Sequence, residues 1–359
     1  MKILFVTFAL AYSGAGKMIA YLANAFSSRG YHSIIYVQEK SGHFYEPNAD
    51  LDIIYEDKYF NNYLTRHFCQ ARQLRRRVKE IKPDLIVSFN TNQNAMSVYA
   101  AAFRKIPVIV SERGDPYQYR NLIARIKRSI INSASGGVFQ THKALEYYGK
   151  GLQKRSCVIY NPCTVKNVTF YPWEKRTNSI AFIARFDIKQ KRQDLMIEAF
   201  RLVSNKIPDI SLHFYGDGND LDFIIDKVKE YNLEDKVFFH GVVKNIPDVI
   251  VQHKVFVLTS DFEGLPNALI EAMACGLVCI STDCSPGGAR ELIVDGQNGY
   301  IVPCGNFNLL CERIIEAFEN DKKSEQVAKN AMLISKKLDE DCIYDQWEEY
   351  INHVYEESK

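Results

Sequence analysis

Short apolar runs alternate along this chain with longer stretches in which apolar residues recur every three to four positions. Runs at 3–8, 33–37, 85–89, 108–111, 137–139 and 158–160 read as strands, and helical periodicity fills 16–29, 65–80, 93–104, 119–133 and 142–149 between them. After the polar and aromatic stretch 166–177 the pattern restarts. Strands are then expected at 179–184, 211–215, 237–239, 255–259 and 278–282, with helices at 193–204, 219–231, 247–252, 266–275 and 288–294. Strands that are apolar along their length and alternate with helices belong to parallel sheets covered on both faces. The pattern therefore predicts an α/β chain with two successive Rossmann-like domains, at 1–165 and 178–340, joined by a linker at 166–177. A terminal helix over 341–359 carries Trp347, Tyr350, Ile351 and Val354 at helical spacing, a stripe that needs a core to dock on.

Length agrees with two domains, since 359 residues exceed what a single core usually serves. No apolar run approaches the ~18–20 residues of a membrane-spanning helix. The first ten residues have one basic side chain and no small-x-small cleavage signal, so they read as a buried strand rather than a secretory leader. Nine cysteines include no C-x-x-C pair. Cys275, Cys279 and Cys284 lack the His or fourth Cys of a zinc pattern, which suggests reduced core thiols in a cytosolic protein. The net charge of +2 conceals an asymmetry: residues 1–166 hold 24 Lys+Arg against 11 Asp+Glu, and the remainder holds 21 against 32. Opposite halves imply different partners.

The segment 263–276, Glu-Gly-Leu-Pro-Asn-Ala-Leu-Ile-Glu-Ala-Met-Ala-Cys-Gly, carries the sharpest chemistry. Glu263 sits in a loop after an apolar strand, and Glu271 lies one to two turns into a helix opened by Pro266 at its first position and Asn267 at its cap. Free N–H groups at a helix start suit a phosphate, and carboxylates on either side suit hydroxyl groups. A phosphate flanked by two polyols is a nucleotide sugar. Arg185 and Lys191 share one loop after the strand that opens the second half, and such a pair neutralises a diphosphate.

The Glu-seven-Glu segment, with Gly264, Leu265 and Pro266 in its EG-x-P context, resembles the signature of the GT4-type retaining glycosyltransferases of the GT-B fold. The resemblance implies α/β architecture, GT-B, two Rossmann-like domains facing across a cleft, with a terminal helix that crosses back to the first domain. It implies that Arg185 and Lys191 bind the donor diphosphate, that Glu263 meets the sugar and Glu271 the ribose, and that no metal or other cofactor takes part. Gly216 and Gly218 resemble the family's G-x-G turn beside the base, and His240 with Gly241 holds the matching place after the next strand. Family members usually carry a Gly-Gly after the first strand, where this chain has Gly14 and Gly16 in a loop that fits neither a P-loop nor the full dinucleotide fingerprint. Arg113, in the turn Ser111-Glu112-Arg113-Gly114-Asp115-Pro116, stands where many members have a histidine, and faces either the transferred sugar or an acceptor phosphate. The D-x-D patterns at Asp50/Asp52 and Asp220/Asp222 end no central strand, against a metal-dependent GT-A reading.

The expected activity is retaining transfer of a hexose or N-acetylhexosamine from a nucleotide diphosphate donor, UDP-linked, to a lipid-linked oligosaccharide or surface polysaccharide precursor. Alternatives are a sugar-nucleotide 2-epimerase of the same fold and a non-catalytic sugar-nucleotide-binding protein. Basic and apolar residues interleave at 66–79 and at 120–130, which suits an anionic membrane surface on the inner face of the cell membrane. No nucleic-acid-binding motif occurs. On this reading Glu263→Ala lowers turnover far more than fold stability, because a loop carboxylate meets the sugar rather than the core.

Overall fold

The computed structural model describes residues 1–10, 14–39, 51–56, 63–118, 120–166 and 169–359. Two compact units emerge, Met1–Asn161 with Asp341–Lys359, and Pro162–Glu340.

In the first unit, seven parallel strands run β1 (Lys2–Thr7), β2 (His32–Val37), β3 (Asp52–Tyr55), β4 (Leu85–Phe89), β5 (Val108–Glu112), β6 (Gly136–Phe139) and β7 (Ser156–Val158), in the order 3-2-1-4-5-6-7. The reversal of strand order about β1 is the doubly wound topology, which puts ligand-binding loops beyond the carboxyl ends of the strands. Helices α1 (Gly14–Ser28), α2 (Tyr63–Ile81), α3 (Thr91–Ala101), α4 (Leu122–Ile131), α5 (His142–Glu146) and α6 (Lys150–Gln153) connect them. The expected helix over 142–149 is thus two short ones, with Tyr147 ending the first and Gly149 opening the second in extended backbone. The edge strand β3 escapes the periodicity because it is four residues long and only half-buried. The final strand falls at Ser156–Val158, ahead of the expected 158–160.

The terminal helix, Glu340–Glu357, completes the first unit. Trp347 is fully buried beside Phe89, their ring centroids 6.2 Å apart. Tyr350 OH accepts from Gly137 N at 2.8 Å. A side chain at Gly136 would meet that same hydroxyl at 2.3 Å, so any larger residue there would displace Tyr350 where the helix lies over β6. Arg29 pairs with Glu348 and Asp345 at 2.6 and 2.7 Å.

The second unit is a six-stranded parallel sheet of β8 (Thr177–Ile183), β9 (Ser211–Tyr215), β10 (Val237–Phe239), β11 (His253–Leu258), β12 (Val278–Thr282) and β13 (Tyr300–Val302), ordered 10-9-8-11-12-13. Its helices are α7 (Ile188–Lys191), α8 (Gln193–Lys206), α9 (Leu221–Glu230), α10 (Ile246–Ile250), α11 (Asn267–Ala274), α12 (Gly288–Leu292), α13 (Phe307–Glu319), α14 (Asp321–Ala331) and α15 (Ile334–Lys337), so the terminal helix is α16. The stretch read as a linker holds Trp173, which is buried in this unit's core and donates from Nε1 to Asp321 at 2.7 Å.

One buried polar feature crosses the sheet. His253 on β11 lies 2.6 Å from Ser179 Oγ and 2.8 Å from Tyr215 OH, and His213 on β9 lies 2.9 Å from His240. Burial drives the pKa of His253 down to about 3, with further depression from His213, His240 and Arg176. Burial likewise drives His213 to about 4, helped by His240.

Two outcomes follow for stability. Trp347→Ala removes the largest fully buried side chain and is expected to destabilise the protein by about 3–5 kcal/mol, read as a fall in the denaturation midpoint. The depressed imidazole pKa values mean that the folded state holds His213 and His253 neutral while the unfolded chain protonates them below about 6.5. Stability is therefore complete above pH 6.5 and falls as the pH drops through the window toward 4 and then 3. Melting temperatures between pH 7.5 and 4 will show this slope, and it should flatten in His253→Gln; an unchanged slope would remove His253 as its source.

Candidate functional site

In the second unit the candidate residues gather in loops at the carboxyl ends of β8, β9, β11 and β12. Ala184, Arg185, Phe186 and Asp187 leave β8 and enter the single turn α7. Lys191 ends that turn and Arg192 follows in left-handed backbone, φ 54°, redirecting the chain into α8. Thr259, just past β11, donates to the carbonyls of Lys191 and Arg192 at 2.8 and 2.9 Å. Gln190 Nε2 donates to Phe262 O at 3.1 Å, while Asp261 N donates to Gln190 O at 2.8 Å. These bonds tie the α7 turn to the loop that carries Glu263.

The tie has a chemical result. Lys191 Nζ forms an ion pair with Glu263 Oε1, and Ser260 Oγ donates to the same oxygen at 2.6 Å. Both side chains are largely removed from solvent, at 17% and 9% exposure. Glu263, which the sequence reading placed in a loop and away from the core, is therefore held with little exposure. Removing it would strand a buried ammonium, a loss of about 3–5 kcal/mol, so Glu263→Ala carries a stability cost as well as any loss of turnover. Arg185 is more open, its side chain 65% exposed and paired to Asp187 at 3.0 Å. Arg192 is held between Asp194 and Asp261 at 3.1 Å each, as a brace for the loop.

Close backbone packing fixes these loops. A Cβ at Gly216, φ 139°, would lie 2.1 Å from Ala184 O, and one at Gly218 would lie 2.3 Å from Phe186 O. The Gly216-Asp217-Gly218 turn thus rests directly on the Arg185 segment. His240, after β10, stacks on Tyr215 at 4.6 Å and on His213 at 5.2 Å, a position that ties its ring into the sheet edge.

Pro266 is the N-cap of α11 and Asn267 its first helical residue, the reverse of the expected placement. Proline accepts no side-chain bond, so the cap leaves the first N–H groups to other acceptors. Leu265 is buried, and Glu271 lies half-buried on the second turn of α11. Gly264 is pressed against the α12 segment, where a Cβ at Gly288 would come within 1.9 Å of its carbonyl. Asp220, of the second D-x-D pattern, accepts from Ile188 N at 2.8 Å and serves the α7 turn. Among the described residues no cluster of His, Cys, Asp or Glu is arranged to hold a metal.

In the first unit, Gly14 and Gly16 lie in the first turn of α1 rather than in a loop, and residues 11–13 fall outside the described residues. Arg113 follows β5. Its guanidinium stacks over Phe89 at 4.1 Å and lies 5.5 Å from Trp347, and Nη1 donates to Asn161 at 3.0 Å. Burial lowers its pKa to about 9 against a smaller opposing effect of Glu112. Glu112 accepts from Thr91 Oγ1 at 2.6 Å, Tyr148 OH at 3.1 Å and Arg113 N at 3.2 Å, yet burial still raises its pKa. The sequence reading missed Ser260, Thr259 and Gln190, which orient the candidate ions. Only Ser260, three residues before Glu263, offered a local signal.

Comparison with known proteins identifies the family and the fold. Residues 12–166 match the family described as Glycosyltransferase Family 4, and residues 167–333 match Glycosyl transferases group 1. A Campylobacter jejuni enzyme named as an α-1,4-N-acetyl-D-galactosaminyltransferase acting on a GalNAc- and diNAcBac-containing PP-undecaprenol is 25% identical over 99% of both chains. The lipopolysaccharide 1,6-galactosyltransferase of Salmonella typhimurium is 33% identical over 41% of this chain and 42% of its own. A structure of the Anabaena protein Alr3699/HepE in complex with UDP-glucose superposes with a TM-score of 0.82 at 19% identity, covering 98% of this chain and 100% of the other. The lipopolysaccharide outer core galactosyltransferase WaaB superposes at 0.78 over 98% and 99%, at 17% identity. The two family matches meet at residue 166 and span nearly the whole sequence, and the chain therefore belongs to the GT-B glycosyltransferases of the family 4 and group 1 type.

Proposed function

We propose that this glycosyltransferase moves a hexose or N-acetylhexosamine from a UDP-linked donor to a hydroxyl of a lipid-linked oligosaccharide or polysaccharide precursor, with retention and without a metal. The observation that carries this reading is the convergence of Lys191 and Glu263 at one point, with Arg185 on the same loop. In the proposed mechanism Arg185 and the remaining ammonium protons of Lys191 grip the donor diphosphate. The uncapped start of α11 supplies N–H donors to a phosphate oxygen. Glu263, fixed by Ser260, accepts from hydroxyl groups of the sugar, and Glu271 accepts from the ribose. Gly216, Gly218 and His240 border the base.

In the transferring step the bond from the anomeric carbon to the phosphate oxygen breaks and the acceptor oxygen bonds to the same face of that carbon. The acceptor proton passes to the departing phosphate oxygen. Negative charge grows on the diphosphate, where the two cations are already placed, so electrostatic stabilisation is the main contribution of the site. Arg113 shapes the acceptor side in the first unit. Support for a lipid-linked acceptor comes from the C. jejuni relative, whose name specifies a PP-undecaprenol substrate. Support for UDP comes from the fold neighbour seen with UDP-glucose.

A membrane surface fits the helical layer of α2, α3 and α4, which pack side by side. Leu122, Ile123 and Ile126 on α4 are 70%, 55% and 52% exposed, interleaved with Arg125 and Arg128. Phe103 is completely exposed and is followed by the basic residues Arg104 and Lys105. Large apolar side chains left in water beside cations suit the interface of an anionic bilayer. No helix among the described residues is long and apolar enough to cross a membrane, so the association would be peripheral, on the cytoplasmic leaflet.

Glu263→Gln retains the size of the side chain and removes its charge. Turnover with the native UDP-sugar should fall about 100–1000-fold, and Arg185→Ala should weaken UDP itself in calorimetric titration. Retained turnover in Glu263→Gln, or unaltered UDP affinity in Arg185→Ala, would remove those residues from the donor site. For the membrane, co-sedimentation should show binding to vesicles rich in phosphatidylglycerol, weakened by salt and by Leu122→Ser with Ile126→Ser. Equal binding to neutral and anionic vesicles would exclude this mode of docking.

A further inference from the structure

Strands β11, β12 and β13 run parallel and end side by side, and two cysteines sit just beyond them. The pairing of β12 with β13 closes at Thr282 and Val302, and Asp283 N donates to Val302 O at 2.8 Å. Cys284 and Cys304 are each the second residue past that last pair, so they leave adjacent strands at one level of the sheet. Neighbouring strands lie about 4.8 Å apart, inside the span of about 4.4–6.8 Å between Cα atoms that a disulfide bridges. Side-chain direction agrees. Thr282 Oγ1 and Cys304 Sγ both donate to the carbonyl of Ser260, at 2.5 and 3.8 Å. Residues two apart in extended chain share a face, which puts Cys284 on the side that Thr282 and Cys304 occupy. The segment continues to Ser285, which bridges Phe262 as a parallel partner.

The two thiols bracket the loop that carries Glu263. Ser260, whose carbonyl Cys304 touches, is the residue whose hydroxyl holds Glu263 Oε1. On the other side, Glu263 N donates to Ser285 O at 3.0 Å, one residue beyond Cys284. Cys284 is buried and Cys304 exposed, so a reagent reaches the pair through Cys304. Neither thiol is primed. Burial pushes the Cys284 thiol up, with Glu263 and then Cys304 adding to the shift and Lys191 opposing it. The Cys304 thiol, tucked toward Ser260 while its residue is exposed, is raised by burial and then by Asp261 and Asp283. Exchange at this pair is therefore slow at neutral pH and quickens with rising pH as thiolate forms, so it answers sustained rather than brief oxidation.

We propose that Cys284 and Cys304 form a reversible disulfide that displaces the Glu263 loop and closes the donor site. The bond itself stands on strand register and side-chain direction, and only its effect on a nucleotide rests on the donor reading above. The oxidant is a small-molecule disulfide such as oxidised glutathione. The Cys304 thiolate attacks one of its sulfurs, and the other leaves and is protonated to a thiol. Cys284 then attacks the Cys304 sulfur and expels the second thiol. Two cysteine thiols are oxidised to one disulfide, one disulfide is reduced to two thiols, and the two protons lost by the cysteines equal the two gained by the products. Drawing the sulfurs to bonding distance takes Cys304 Sγ off Ser260 O. It also pulls Cys284 outward, and with it the Ser285 carbonyl that anchors the Glu263 amide.

The test treats the full chain with oxidised glutathione at about pH 8.5, where more thiolate forms, and maps disulfides by mass spectrometry of an unreduced digest. Wild type should yield a cross-linked Cys284–Cys304 peptide that is absent in Cys304→Ser and in Cys284→Ala. Hydrogen exchange at the Glu263 amide should quicken on oxidation, and UDP affinity in calorimetric titration should fall at least tenfold. Dithiothreitol should restore both, and Cys304→Ser should keep its UDP affinity under the same oxidation. Exposed Cys342 is the internal control: glutathione attached there, with no Cys284–Cys304 peptide, overturns the pairing. A cross-linked protein whose Glu263 amide exchanges as in the reduced form, or whose UDP affinity is unchanged, overturns the closure. Reduced wild type that fails to bind UDP counts against the donor reading alone, because the cross-link and the amide exchange are read without nucleotide.

Discussion

A single ion pair organises the second unit's candidate site. Lys191 and Glu263 are 72 residues apart, and both are withdrawn from water at the end of the parallel sheet. An isolated charge in such a place costs several kcal/mol, so each member depends on the other and on the bonds that aim them. Ser260 occupies the same carboxylate oxygen, Thr259 clamps the end of α7, and Gln190 holds the Glu263 loop from the other side. The pair is thus a structural joint, and a donor's phosphate and hydroxyl groups would share it rather than create it.

That joint also explains why glycine recurs around it. A Cβ added at Gly216, Gly218 or Gly288 would come far inside van der Waals contact with the carbonyls of Ala184, Phe186 and Gly264. Gly216 and Gly218 press onto the segment leading to Arg185, and Gly288 presses onto the residue following Glu263. Any larger residue would lift one cation or the carboxylate out of register. The glycine pattern and the charge pattern of this unit are therefore one constraint: loops that must be close-packed to keep a buried ion pair aligned.

The α/β class and the two parallel sheets were legible because strands buried on both faces leave apolar runs that solvent-facing segments do not. Elements lacking that signature were not. β3 is half-buried, and β13 is three residues long beyond the last expected helix. The Arg185, Lys191 and Glu263 loops could be read from local motif and spacing. Their mutual engagement could not, because hydrogen bonds between residues about seventy positions apart leave no local trace. The same limit hides the burial of Glu263 from the sequence and accounts for the reversed roles of Pro266 and Asn267 at the start of α11. The burial of Arg113 against Phe89 and Trp347 joins residues from three distant stretches of chain, and only the packed core reveals it.

The charge asymmetry of the sequence acquires a different meaning once the first unit's pairs are traced. On α2, Arg66 and Arg77 are matched to Glu39 and Glu56, and Arg29 is matched to the terminal helix α16. Those cations hold the unit together and contribute little field outward. Arg125, Arg104 and Lys105, by contrast, stand among exposed apolar side chains, and Lys127 turns inward to an amide. A surplus distributed at random would not divide into a paired set that stabilises helices and an unpaired set beside apolar surface. The second set is smaller than the total surplus, and it is divided between α4, which carries Arg125, and the turn after α3, which carries Arg104 and Lys105.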